Sequence, residues 1–83
     1  MTYRYRDTVR DELLQHGVIP SEDTPPELIH KFVNDLYVYE IRALRKRLEA
    51  GAVAITDYAK LVEALRNRYP VLSLPLRFWT ESD

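Results

Sequence analysis

A long stretch without a helix breaker constrains this chain of 83 residues more than any other feature. After two adjacent prolines, no glycine or proline interrupts the sequence until Gly51. Thr24, Pro25 and Glu27 fit the N-cap, N1 and N3 positions of a capping box, where the missing N–H of proline costs nothing. The pattern predicts one helix over residues 25–50, about 37 Å long at 1.5 Å per residue. A helix of that length is unusual in so small a chain.

The apolar side chains of this long helix occupy two arcs. At about 100° per residue, the first arc holds Leu28, Ile29, Phe32, Val33 and Leu36, and the second holds Ile41, Leu44 and Leu48. A straight helix with a single neighbour would keep a single arc. We therefore predict that its first half packs on one neighbour and its second half on another. A bend near residues 36–39, where β-branched and aromatic residues lower helix propensity, would also rotate the arc.

A shorter helix is predicted before the long one, over residues 7–16. Val9 and Leu13 are four residues apart, so both fall on one face of a helix. Gly17 is a suitable C-terminal stop, because glycine readily adopts the left-handed backbone that ends many helices.

A third helix is predicted over residues 57–69, with Thr56 or Asp57 as its N-cap and Pro70 as its stop. Its apolar residues recur at i, i+3, i+4, i+7 and i+11, namely Tyr58, Leu61, Val62, Leu65 and Tyr69. The three helices predict an all-α fold. We expect residues 1–83 to form a single small three-helix domain with one long central helix.

Residues 70–79, here called the arm, are apolar and include two prolines and the single tryptophan of the chain. Pro70 and Pro75 prevent a regular helix and favour extended backbone before them, so we predict an extended apolar C-terminal arm. Its large side chains must be covered, since burying each of them is worth roughly 1.5–3 kcal/mol. The sequence allows two ways in which the arm could be covered. The arm folds back over its own helices, or part of it crosses to a second subunit or another protein.

Composition narrows the classes of function. The absence of cysteine excludes a disulfide framework, a thiolate zinc site and a cysteine nucleophile. A formal net charge of −1 produces no overall field that would attract the chain to nucleic acid or membrane. No apolar run approaches the ~20 residues of a membrane span, and the first residues lack the apolar core of a signal peptide. We expect a soluble, cytoplasmic protein without a membrane partner.

The residue types that carry catalysis form no recognisable motif. Two glycines are too few for a phosphate-binding loop, and neither serine lies in a G-x-S-x-G sequence. Glu27 and His30 form one Glu-x-x-His pair, whereas di-metal sites in helical bundles need that pair twice. We therefore predict no enzymatic activity, no catalytic residue, no cofactor and no metal site.

The first functional hypothesis is a small non-catalytic protein–protein interaction protein, acting as an adaptor or regulatory subunit and associating with itself. Three observations lead to this hypothesis: the long helix has two apolar arcs, the arm is apolar, and no catalytic motif is recognisable. The expected partner is a second copy in a homodimer, or another protein. The predicted contact residues are Val38 and Tyr39 on the long helix, and Leu74, Leu76, Phe78 and Trp79 on the arm.

The alternative hypothesis is nucleic-acid binding through a basic patch. Its predicted phosphate contacts are Arg42, Arg45 and Lys46 on the long helix, extended by Arg66 and Arg68 on the third helix. Nucleic acid ranks behind protein as a partner because Glu49, four residues after Arg45, compensates part of the charge. A helix-turn-helix would also need two shorter helices.

Overall fold

The computed structural model describes residues 2–81 and contains three α-helices. Helix α1 spans Asp7–Gln15, helix α2 spans Pro26–Glu49 and helix α3 spans Ile55–Asn67. The predicted all-α class and the long central helix are therefore confirmed, and each helix lies within two residues of its predicted bounds. The molecule is elongated, with extents of 51 × 17 × 16 Å.

Glycine ends α1 and α2 as predicted. Gly17 and Gly51 have φ angles of 75° and 76°, in the left-handed region. The residue after Gly17 donates its N–H to the carbonyl of Leu13 at 2.9 Å, and the residue after Gly51 donates to the carbonyl of Arg47 at 2.9 Å. These bonds are the six-to-one bonds of the Schellman motif, which satisfies carbonyls left over at a helix end.

The predicted N-cap of α2 is wrong by one residue. Pro25, with φ −62° and ψ 138°, stands at the N-cap, and Pro26 begins the helix. A residue that precedes proline is held out of the helical region, so Pro25 cannot be the first helical residue. The hydroxyl of Thr24 lies 2.8 Å from the hydroxyl of Ser21 and does not cap the helix.

Helix α3 begins at Ile55, before the residues predicted to cap it. Ala54 stands at the N-cap without a side-chain hydrogen bond, and its carbonyl accepts the N–H of Tyr58 at 2.8 Å. Val53, just before the cap, is buried with 9% of its surface exposed. Burial of Val53 holds the connection before α3 in place. This connection, and not a capping side chain, therefore determines where α3 begins.

The arm folds over its own chain and is less extended than predicted. It contains two 3₁₀ turns, Pro70–Ser73 and Leu76–Phe78, separated by extended backbone at Leu74 and Pro75. The fixed φ of proline suits the start of a 3₁₀ turn as well as an extended strand, so Pro70 begins the first turn and Pro75 precedes the second. The arm contacts both α1 and α2.

The core lies where the arm meets the helices. Its largest fully buried side chains are Trp79, Leu13, Val9, Val33 and Val71. Trp79 has no exposed surface, and its indole N–H donates to the carbonyl of Leu74 at 3.0 Å. The first of the two coverings, in which the arm packs on its own helices, is the arrangement that the structure contains.

Helix α2 has two neighbours in succession, as the two apolar arcs predicted. Its first half packs on the arm, with Val33 fully buried, and its second half packs on α3, with Leu44 buried. The assignment of the whole first arc to the core is nevertheless wrong for Leu28 and Phe32, which are 59% and 52% exposed. The arm covers only one side of α2 and does not reach around to these two residues.

The two ends of the described chain meet beside the core. Tyr5 and Thr80 form an isolated antiparallel bridge. The N–H of Arg6 donates to the carbonyl of Trp79 at 2.9 Å, and the N–H of Glu81 donates to the carbonyl of Arg4 at 2.8 Å. These bonds hold Trp79 in place from the N-terminal side.

Candidate functional site

One exposed face of α2 carries large apolar side chains. Tyr39 is 73% exposed, compared with 59% for Leu28 and 52% for Phe32. At 100° per residue these three side chains fall within about 40° of one another, roughly opposite Val33 and Leu44. The inner face of α2 is therefore covered by its own fold, while the outer face is not.

The outer face follows a heptad repeat. Exposed residues separated by alternating steps of four and three residues are Leu28, Phe32, Asp35, Tyr39, Arg42 and Lys46. We call these six residues the α2 seam. An average step of 3.5 residues keeps side chains on one stripe and is the spacing by which helices pair in coiled coils. The seam thus has the periodicity of a helix-pairing surface.

The borders of the seam carry ion pairs and an apolar side chain. Lys31 lies 3.0 Å from Asp35, and Arg45 lies 3.5 Å from Glu49, each pair spanning one helical turn. Val38 is partly buried beside Tyr39. The predicted contact residues Val38 and Tyr39 therefore lie together, at and beside the centre of the seam.

The contact residues predicted on the arm pack mainly against their own chain. The prediction is wrong for Trp79, because the indole is fully buried in the core of its own chain. Leu74 and Leu76 are partly buried and pack against the same core. Phe78 is 39% exposed, and the guanidinium of Arg77 lies 4.7 Å from the centre of its ring. Apart from Phe78, the large apolar side chains of the arm are therefore buried or partly buried in their own chain.

The five basic residues predicted to contact nucleic acid do not form one surface. Arg42, Arg45 and Arg66 line a groove of about 420 Å³ between α2 and α3. Arg68 lies on the opposite side of this helix pair, 3.7 Å from Glu40, and Lys46 lies in the seam. Nucleic-acid binding stays a prediction from the sequence, and the split distribution of charge does not favour it.

The buried Tyr69 joins α1 to the α2–α3 pair. Its hydroxyl donates to the carboxylate of Glu40. The imidazole of His16 stacks on its ring with 4.1 Å between centroids, and Nε2 of His16 lies 2.7 Å from the carbonyl of Arg68. Tyr37 meets the same ring edge-on at 5.3 Å. The cluster explains how α1, which has little direct contact with the other two helices, is fixed relative to the α2–α3 pair.

Two tyrosines of this fold have raised pKa values. Burial, reinforced by the hydrogen bond to Glu40, raises the pKa of Tyr69 from 10.0 to about 12. Burial, followed by the charge of Glu27, raises the pKa of Tyr5 to about 12. The folded chain therefore keeps both phenolic protons at a pH where an unfolded chain, with a tyrosine pKa near 10, has begun to lose them.

We expect the free energy of unfolding to fall as the pH rises from 10 to 12. In this range the unfolded chain binds fewer protons than the folded chain, so each unit of pH favours unfolding. Below pH 10 the contribution of both tyrosines is fully present. Urea denaturation followed by circular dichroism at about pH 9 and about pH 11 measures the difference. In Tyr69→Phe the difference between the two pH values should shrink, and an unchanged difference would contradict a role for this phenol.

The described residues show no arrangement typical of a metal site or a membrane span. Within residues 2–81, no group of three His, Asp or Glu side chains comes close enough to hold a metal ion. None of the helices in that range combines the length and the apolar character needed to cross a bilayer. The predictions of no enzymatic activity and no cofactor stay predictions.

No family model matches the chain, and no curated protein and no solved structure matches it either. The function of the chain is therefore inferred from the geometry of its own residues.

The sequence contained a signal for the seam that the arc analysis missed. Leu28 and Phe32 were grouped with core residues because they share an arc with Val33. The steps of four, three, four, three and four residues from Leu28 to Lys46 are visible in the sequence, yet charged residues at three of the six positions conceal the pattern from an apolar plot.

Proposed function

We propose that this chain is a small non-catalytic interaction protein that associates with itself through the α2 seam. The observation that carries the proposal is the exposure of more than half of Leu28, Phe32 and Tyr39 on one heptad-spaced stripe. Large apolar side chains gathered on one face are typical of interaction surfaces. In such a dimer the chain acts as an adaptor or regulatory subunit, the role expected from its sequence.

The size of the seam supports pairing of two such helices. The distance from Leu28 to Lys46 is 18 residues, or about 27 Å of helix. Phe32 and Tyr39 are side chains of about 150–250 Å² each, of which 52% and 73% are still exposed and available to a partner. With the other seam and border residues, the contact area is on the order of the ~800 Å² per partner of a standard interface.

Phe32→Lys is expected to abolish self-association. The substitution places an ammonium group in the middle of an apolar contact and does so twice in a symmetric dimer. Losing about 2 kcal/mol at each of two contacts raises the dimer dissociation constant about 1,000-fold. Sedimentation equilibrium over a range of concentrations measures this constant.

Ile19→Lys is the matched control for this experiment. Ile19 is 79% exposed, lies outside the seam, and undergoes the same change of charge. Its dissociation constant should equal that of the unsubstituted chain. If the unsubstituted chain has the 9.8 kDa mass of a monomer at every concentration, the proposed function is wrong.

A further inference from the structure

We infer that two copies of this chain pair along the α2 seam in antiparallel orientation, with each seam residue i opposite seam residue 74 − i of the second copy. Border residues flank these contacts, so the numbers of paired border residues add up to 76 on one side of the seam and to 72 on the other. This inference rests on the proposed self-association and adds its geometry. It places Leu28 opposite Lys46, Phe32 opposite Arg42, and Asp35 opposite Tyr39. A two-fold axis between residues 35 and 39 repeats each contact, so all six seam residues of each copy are used.

A parallel pair would bring like charges together inside the seam. In parallel helices each seam position meets the same position of its partner. Asp35 would then face Asp35, Arg42 would face Arg42, and Lys46 would face Lys46. Like charges in close contact are destabilising, so half of the seam would oppose parallel pairing.

Antiparallel pairing turns the same side chains into complementary contacts. The guanidinium of Arg42 meets the ring of Phe32, a cation–π pair. The hydroxyl of Tyr39 reaches the carboxylate of Asp35 as a hydrogen-bond donor. The aliphatic stem of Lys46 covers Leu28 while its ammonium stays in water. No seam contact of this arrangement joins two like charges.

The distribution of charge along the chain favours the same orientation. Residues 1–36 contain four Lys or Arg and seven Asp or Glu, a net charge of −3, whereas residues 37–67 contain six and four, a net charge of +2. Antiparallel pairing sets each acidic half beside the basic half of the other copy. It also places the positive N-terminal end of each helix dipole beside the negative C-terminal end of the other.

The borders of the seam are compatible with this register. Val38 meets Val38 on one side of the two-fold axis, and Leu36 meets Leu36 on the other. Lys31 lies opposite Arg45, a like-charged contact at the rim. Each of these two side chains already faces a carboxylate of its own helix, at 3.0 Å and 3.5 Å, and each is largely in water. The rim contact therefore costs little.

Sliding one copy by seven residues reduces the contact. In either direction the shift leaves four seam residues per copy with a counterpart, compared with six in the full overlap. The register that pairs Leu28 with Lys46 is therefore the one in which the whole seam forms contacts.

Cross-linking tests the orientation directly, because the chain contains no cysteine of its own. Lys31→Cys and Arg45→Cys change border residues that are 75% and 72% exposed. A bis-maleimide whose reach is about the 8–10 Å spacing of packed helices is added to each variant alone and to their mixture. In the antiparallel pair residues 31 and 45 are neighbours, whereas residue 31 is about 18 Å along the helix axis from residue 31 of the second copy.

We expect cross-linked dimer in the mixture and little in either variant alone. Val38→Cys, close to the two-fold axis, should cross-link by itself. Strong cross-linking of Lys31→Cys alone would show parallel helices, and cross-linking of Lys31→Cys with Val38→Cys would show a shifted register; each overturns the inference. Sedimentation equilibrium separates these outcomes from failure of the proposed function, because in them the chain is still a dimer.

Discussion

Trp79→Ala is expected to lower the free energy of unfolding by about 3–5 kcal/mol, the range measured for large aromatic residues removed from cores. Trp79 has no exposed surface and lies between the arm and α2, with its ring 5.5 Å from that of His30. The substitution also removes the hydrogen bond from the indole to the carbonyl of Leu74. Domains of this size have net stabilities of only about 5 kcal/mol or slightly more. Much of the variant should therefore be unfolded at 25 °C.

Denaturation with urea, followed by circular dichroism, measures this change. Phe78→Ala is the matched control, since Phe78 is the neighbouring aromatic residue and is 39% exposed. Its loss should cost about 1 kcal/mol, as is usual for partly exposed side chains. Equal effects of the two substitutions would contradict the assignment of Trp79 to the core.

Ending the chain after Tyr69 is expected to abolish cooperative unfolding altogether. The truncation removes two fully buried side chains, Val71 and Trp79, and uncovers Val33 and Leu13, to which the arm is adjacent in the core. Each large apolar side chain is worth roughly 1.5–3 kcal/mol when buried. Their combined loss exceeds the net stability of about 5 kcal/mol available to a small domain.

A shorter truncation distinguishes the arm from the residues that follow it. A chain ending after Thr80 keeps the arm and the bridge between Thr80 and Tyr5, and loses the hydrogen bond from Glu81 to Arg4. One such bond contributes about 1 kcal/mol, so the sigmoidal denaturation curve should persist with a slightly earlier midpoint. A sigmoidal curve of normal midpoint for the chain ending after Tyr69 would show that the arm is dispensable.

The helices could be predicted from the sequence because their signals are local. Gly17 and Gly51 end α1 and α2 in the backbone conformation for which glycine is suited. The rotation of the apolar arc along α2 correctly indicated two successive neighbours. The first residues of α2 and α3 were harder to predict, since Pro26 excludes Pro25 from the helix and Val53 positions α3 without a capping side chain.

The arm and the seam could be predicted only in part because they depend on tertiary packing. Periodicity identified an apolar segment that had to be covered, but could not tell whether Trp79 packs on its own chain. For the same reason it could not distinguish Val33, which is buried against the arm, from its neighbour Phe32, which lies on the exposed seam. Tyr39 was predicted to be exposed because it falls outside the second arc, although at about 100° per residue it lies between Leu28 and Phe32 of the first.

The elongated shape of the molecule has a hydrodynamic consequence. The monomer is three times as long as it is wide, 51 Å against 17 Å, so it experiences more friction than a sphere of equal mass. Side-by-side pairing along α2 would thicken this rod more than lengthen it. The frictional ratio should therefore fall when two chains associate, the reverse of end-to-end growth.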